Sequence, residues 1–160
     1  MTTQRRSPKK SLLDLGYTLP EAPSPVAAYV PAKRVGDLVY VSGQIPLSDG
    51  VLLACGRVPD EVSEQTAFEA ARQCALNALA VLAAQSSQGL DGVAEIIRLG
   101  VFVQCDPEFT GQPSVANGAS ELMESVFGVE GRHVRAAVGS ISLPLNAPVE
   151  VELLARMHPE

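Results

Sequence analysis

The sequence contains no tryptophan, only 4% aromatic residues and two histidines among its 160 positions. Without large rings, the core has to be assembled from Ala, Val, Leu and Ile. His133 and His158 cannot supply a three-histidine metal site. The three cysteines, Cys55, Cys74 and Cys105, are widely separated, so no Cys-x-x-Cys metal or redox pair exists. An odd count with no recognisable signal peptide points to a reducing compartment and a cytoplasmic location. Cys74 falls in a helical pattern and reads as a small core filler. Cys105, at the end of a strand pattern, reads first as structural and second as a functional thiol. No apolar run approaches the roughly 20 residues of a membrane-spanning helix. Basic residues are also in deficit: the formal net charge of −6 argues against a sequence-independent grip on nucleic-acid phosphates. Arg5, Arg6, Lys9 and Lys10 are the exception, and they read as part of a solvated tail.

What is present is ordinary globular material, 46% hydrophobic and 19% charged, enough for one domain with a real core. Residues 1–24 read as an N-terminal tail and lead-in and residues 25–160 as a single domain. The tail spans residues 1–10, Ser11–Gly16 is a candidate helical turn, and Pro20–Pro25 is a proline-stiffened extended segment. Ala27–Arg34 and Leu38–Ser42 flank Gly36-Asp37 in a hairpin pattern. Val51–Cys55 is a candidate short third strand. Ser63 opens a helix running to about Gln85, with Phe68, Ala71, Ala75, Leu79 and Leu82 at helical spacing. Its many alanines suit close packing on a sheet. Glu95–Cys105 is nearly continuously apolar, which predicts a central strand buried on both faces. Ser114 is the expected cap of a second helix carrying Val115, Leu122 and Val126, with Gly128 past its end. Two strands finish the chain. The order β-β-(β)-α-β-α-β-β describes an α+β two-layer sandwich, a mixed sheet with two helices on one face.

The last thirty residues carry the chemistry. Two strand patterns flank Leu143-Pro-Leu-Asn-Ala-Pro148; the first holds Arg135 among small residues, and the second opens with Glu150. A charge among packed Val, Ala and Leu is costly unless paired or used, and an arginine on a strand offers a rigid fork for a carboxylate. No persuasive Ser-His or Cys-His pair is apparent in the sequence.

Taken with Tyr29, Ser42-Gly-Gln-Ile-Pro46, Ala75-Leu-Asn-Ala-Leu79, Asn117, Arg135 and Val149-Glu-Val-Glu152, the chain resembles the Rid family, also called YjgF, endoribonuclease L-PSP or reactive-intermediate deaminases. The resemblance runs from about Pro25 to Met157. Leu15-Gly-Tyr-Thr-Leu-Pro-Glu-Ala-Pro23 and Gln112-Pro-Ser-Val-Ala-Asn-Gly-Ala-Ser120 look like one subgroup of it, not the one in which enamine/imine deamination is best established. It implies a chorismate-mutase-like fold of the bacillus type and a homotrimer with clefts between subunits. It also implies cofactor-independent hydrolysis of 2-aminoacrylate-type enamines or imines to 2-keto acids and ammonia. Arg135 would bind the substrate carboxylate, the Ala137 carbonyl would position water where the family often has Cys, and Glu150 would position water or relay a proton. Gly43 and Tyr29 would complete the pocket and Asn117 would line it. The expected partners are a small carboxylate-bearing imine, enamine or 2-keto acid and two further copies of the chain, with no membrane and no nucleic acid. A sheet covered on one face would gain from three copies closing the other into a barrel-like core.

Other readings accompany each residue. Arg135 could pair with a neighbouring subunit's acid. Glu150 or Glu152 could pair with Arg135. Tyr29 could be a plain strand aromatic, Asn77 a structural hydrogen-bonder and Ser42 a turn hydroxyl; His133 has no assigned role. A non-catalytic, carboxylate-binding regulatory trimer is the alternative function, with ribonuclease or translation-inhibitor activity third.

Overall fold

The computed structural model describes residues 7–22 and 28–159. Arg5, Arg6 and positions 23–27, which include the end of the lead-in and the expected start of the hairpin at Ala27, lie outside them. Helix α1 spans Pro8–Asp14, starting within the stretch read as a tail. Ser7 explains the early start, because its Oγ accepts from the Lys10 N–H at 3.1 Å while Pro8 pre-sets the first helical turn. Asp91 ties this end down, accepting from Ser7 Oγ at 2.8 Å and from the Lys9 N–H at 3.1 Å. Pro8, Ser11 and Leu12 are buried.

Strands β1 (Ala32–Val35) and β2 (Leu38–Gln44) form the expected hairpin, with Gly36 at φ 65° in its turn. The first strand is shorter than the sequence pattern because Pro31 has no N–H to give to the ladder, although its carbonyl still accepts from Ser42 N–H. The expected third strand is instead the second half of a separate two-residue ribbon, β3 (Leu47–Ser48) with β4 (Val51–Leu52), joined by Asp49-Gly50. Both turn residues have positive φ, 51° and 79°, the conformation a two-residue hairpin favours.

Helix α2 (Glu64–Ala83) is capped by Ser63 Oγ, which accepts from the Thr66 N–H at 3.1 Å. Strand β5 (Val93–Gln104) follows, then α3 (Gln112–Phe127), β6 (Val134–Ser140) and β7 (Val149–Met157). The sheet order is β1-β2-β7-β5-β6. Only β5 and β6 are parallel, and α3 is the crossover such a pair requires. The central strand is therefore β7, with β5 one place further out. Burial of β5 is also uneven: Leu99, Val101 and Val103 are fully covered, whereas on the other face Gly100 and Gln104 are buried but Arg98 and Phe102 only half-buried. Its apolar run reflects proximity to α2 and α3 below, with an amphipathic face above.

Helices α2 and α3 lie on the buried face with Val39, Val41, Val149, Val151 and Leu153, and α1 packs against α3. Cys74 is part of this core. Helix α3 begins before Ser114: Gly111 occupies the cap position, Pro113 falls in the first turn, and the Gln112 side chain donates to Phe109 O at 2.7 Å. Ser114 is exposed within the first turn and caps nothing. The mixed sheet and the order of elements agree with the sequence reading, and α1 adds a third helix.

Candidate functional site

Arg135 lies on β6, the edge strand, directly beside Leu99 of β5. Neighbours across a ladder share a face, and Leu99 is buried under the helices, so the arginine side chain turns toward α3. There Nη1 donates to Asn117 Oδ1 at 2.8 Å and to Ser120 Oγ at 3.0 Å, and Nη2 donates to Pro113 O at 3.2 Å. Positions 113, 117 and 120 recur at i, i+4 and i+7, so one stripe of α3 grips the guanidinium. A guanidinium has five N–H groups. Three are taken, leaving Nε–H and one Nη2–H on an exposed side chain. A cleft of about 460 Å³ opens at this point, lined by Asn117, Ser120, Glu121, Glu124, His133 and Arg135 among others.

Ser120 also meets His133, with Oγ 2.9 Å from Nε2, while His133 Nδ1 is 2.6 Å from Gly131 O. A Ser–His contact thus exists where the sequence suggested none. Ala137, two residues beyond Arg135 and on the same face of β6, packs partly against the core.

Glu150 is the second residue of β7, opposite Phe102 and between the buried Val149 and Val151, which places its side chain on the other face of the sheet. Arg135 and Glu150 therefore do not meet within one chain. Glu152, on the same face as Glu150, pairs with Arg98 at 2.8 Å, so neither acid neutralises Arg135. Among the described residues the Glu150 carboxylate has no hydrogen-bond or ion-pair partner. It lies against Gly43, where any Cβ would overlap its Oε1. Gly43, Tyr29, Ser42, Asn77, Pro144 and Leu145 share a second cleft of about 720 Å³. Tyr29 is 53% exposed and precedes β1 rather than lying in it. Asn77 is the structural hydrogen-bonder expected, donating to Ile45 O at 2.9 Å and Leu47 O at 3.0 Å. The six candidate residues thus fall into two groups, Arg135, Asn117 and Ala137 on one face at the sheet edge, and on the other Glu150 against Gly43, which lines the second cleft with Tyr29.

Sequence reasoning missed Ser120, the Pro113 carbonyl, His133 and Leu145. The first two carried a signal in their helical spacing from Asn117, and His133 stands two residues before Arg135, on strand period. Leu145 carried none: it is 71% exposed, and its φ of 56° comes from the loop before β7.

Partial burial, and then the neighbouring Glu152 charge, raise the Glu150 pKa above its ordinary value of 4.5. Such a carboxyl binds protons more readily folded than unfolded, so stability falls as pH rises through the interval between the unfolded and folded values. Glu150→Gln should accordingly raise the melting temperature at pH 7, the gain closing as pH drops below about the ordinary value. A lower melting temperature for the variant at pH 7 would mean the carboxylate has a stabilising partner instead.

With this geometry described, comparison with known proteins gives the family. Residues 9–157 match YjgF/chorismate mutase-like, putative endoribonuclease, and the chain belongs to that family. It is 41% identical to protein TCP17 of Trypanosoma cruzi over 92% of each chain. It is 29% identical to the 2-iminobutanoate/2-iminopropanoate deaminase of Dermatophagoides farinae, over 91% of this chain and 94% of that one. The solved structure of Atu1372 from Agrobacterium tumefaciens superposes with a TM-score of 0.89 at 42% identity, covering 95% of this chain and 93% of the other. The expected chorismate-mutase-like fold is thereby established, in a family that includes imine deaminases. Among the described residues no helix is long and apolar enough to cross a membrane.

Proposed function

We propose that this protein hydrolyses small carboxylate-bearing imines and enamines to 2-keto acids and ammonia, in clefts formed between copies of a homotrimer. The observation that carries the reading is the half-occupied guanidinium of Arg135. Helix α3 holds three of its N–H groups and leaves two for a ligand, the requirement for a bidentate carboxylate clamp. A carboxylate bound there would have its imine carbon held for attack by water. Fixing that geometry alone lowers a barrier by several kcal/mol.

The balanced reaction adds water across C=N. The water oxygen bonds the imine carbon, the nitrogen gains protons, and the carbon–nitrogen bond breaks with its electron pair leaving on ammonia as the carbonyl forms. Glu150 suits the proton transfers, because partial burial moves its pKa upward toward neutrality. The Ala137 carbonyl would orient the water. Since Arg135 and Glu150 face opposite sides of one sheet, a site using both takes one from each of two copies, with Gly43 beside Glu150 and Tyr29 in the cleft that Gly43 lines. This incompleteness of the single chain supports association between copies, which the trimer supplies. No residue in this scheme calls for a cofactor, and a cytoplasmic setting accords with three free thiols.

A second reading, carboxylate sensing without turnover, draws on the same Arg135 geometry. Ribonuclease activity has less support: the net charge is −6, and Glu121 and Glu124 line the same cleft as Arg135. Ammonia release from freshly generated 2-iminopropanoate and 2-iminobutanoate tests the proposal. Acceleration over the spontaneous rate is expected. Saturable 2-keto acid binding without acceleration would transfer the assignment to a sensor.

A further inference from the structure

The proposed anchor is itself held by a chain of hydrogen bonds whose direction is fixed from one end. Gly131 O can only accept, so His133 Nδ1, 2.6 Å away, carries the proton. In the neutral ring Nε2 is then a bare acceptor, and at 2.9 Å it takes the Ser120 hydroxyl proton. With that proton committed, the lone pairs of Ser120 Oγ remain for Arg135 Nη1 at 3.0 Å. Asn117 Oδ1 and Pro113 O complete the grip from the same stripe of α3. Arg132, the other cation lining this cleft, is held away by Glu124, its Nε 3.0 Å from Oε1.

We infer that His133 is a positioning residue: it orients the Ser120 hydroxyl so that the Nη1 side of Arg135 is held and the Nε–H/Nη2–H side is presented to the substrate carboxylate. The His133 ring hydrogen-bonds Ser120 and Gly131 O rather than Arg135. Its influence passes through Ser120, and so both residues act on substrate capture rather than on the chemical step. The inference rests on Arg135 as the carboxylate anchor.

The test is a double-mutant cycle on the full chain, reading KM and kcat with 2-iminobutanoate together with the Kd of 2-oxobutanoate by calorimetry. Ser120→Ala and His133→Ala should each raise KM and Kd about tenfold, the scale of one lost hydrogen bond, with kcat within about twofold of wild type. The double variant should be no weaker than either single, because His133 has nothing to orient once the hydroxyl is gone. His133→Gln, whose amide oxygen can take the serine proton, should stay near the wild-type KM. His133→Lys, which can only donate, should not. Additive effects in the double variant, or a His133→Lys protein with the wild-type KM, would overturn the relay even if both alanine variants folded poorly. Failure of the anchor reading looks different: wild-type Kd for 2-oxobutanoate would then be unchanged by Arg135→Ala, and the relay would fall with it.

Discussion

Arg135→Ala is expected to lower kcat/KM for 2-iminobutanoate by about 10³-fold or more while leaving the protein folded. The variant removes two charge-assisted hydrogen bonds to the substrate carboxylate, each worth about 1.5–3 kcal/mol, and with them the orientation of the imine carbon. A factor of 10³ is about 4 kcal/mol, within the range those two bonds alone provide. Stability should change little, because the guanidinium is exposed and water can replace it at Asn117, Ser120 and the Pro113 carbonyl. Arg135→Lys restores the charge but not the planar fork, so it should recover only a small part of the loss. Steady-state ammonia release at matched enzyme concentration decides the matter. An alanine variant within tenfold of wild type would remove Arg135 from the mechanism.

The fold was legible wherever local chemistry dictated it. Ser63 as a cap, Gly36-Asp37 as a turn and the helical spacing of Ala71, Ala75, Leu79 and Leu82 each have a short-range cause, and each stands in the structure. Errors arose where a longer-range partner decided. The early Ser7-Pro8 start of helix α1 is held in place by Asp91, far along the chain. Strand β5 looked two-face-buried because its own sequence cannot say that β7 takes the central place.

At the site, Arg135 and Asn117 were recognisable and are in contact. What the sequence could not show is that strand parity sends Arg135 and Glu150 to opposite faces. Both residues begin or nearly begin their strands, but β6 and β7 are registered against β5 from different ends, and parity is fixed only by that register. Ser120 escaped notice for another reason: a small hydroxyl on a helix is common, and its meaning depends on His133 arriving from beyond the helix end.

Gly118 sets how closely the helix that grips Arg135 can approach the rest of the protein, and replacing it is expected to cost stability and substrate capture together. It lies in the middle of α3, where glycine is worse than alanine by about 1 kcal/mol on propensity alone. Local preference therefore favours Gly118→Ala. Packing opposes it: an added Cβ would overlap the Phe68 backbone oxygen and fall 2.9 Å from its carbonyl carbon and 3.3 Å from Arg72 N. These are backbone atoms within α2, so no side-chain rotation relieves the clash, and the two helices have to separate. Overpacking of this kind costs about 1–3 kcal/mol or somewhat more, which outweighs the propensity gain. A net loss of about 2 kcal/mol corresponds to a fall in melting temperature of about 4–8 °C for a domain of this size. Because Asn117 and Ser120 flank the helix contact, the shift should also carry them away from β6 and raise KM more than it lowers kcat. A variant that melts higher than wild type would show that propensity wins and that the helices are not held at this distance. A variant that melts lower with unchanged KM would mean that the grip on Arg135 tolerates movement of α3, and that the anchor is positioned by its own strand instead.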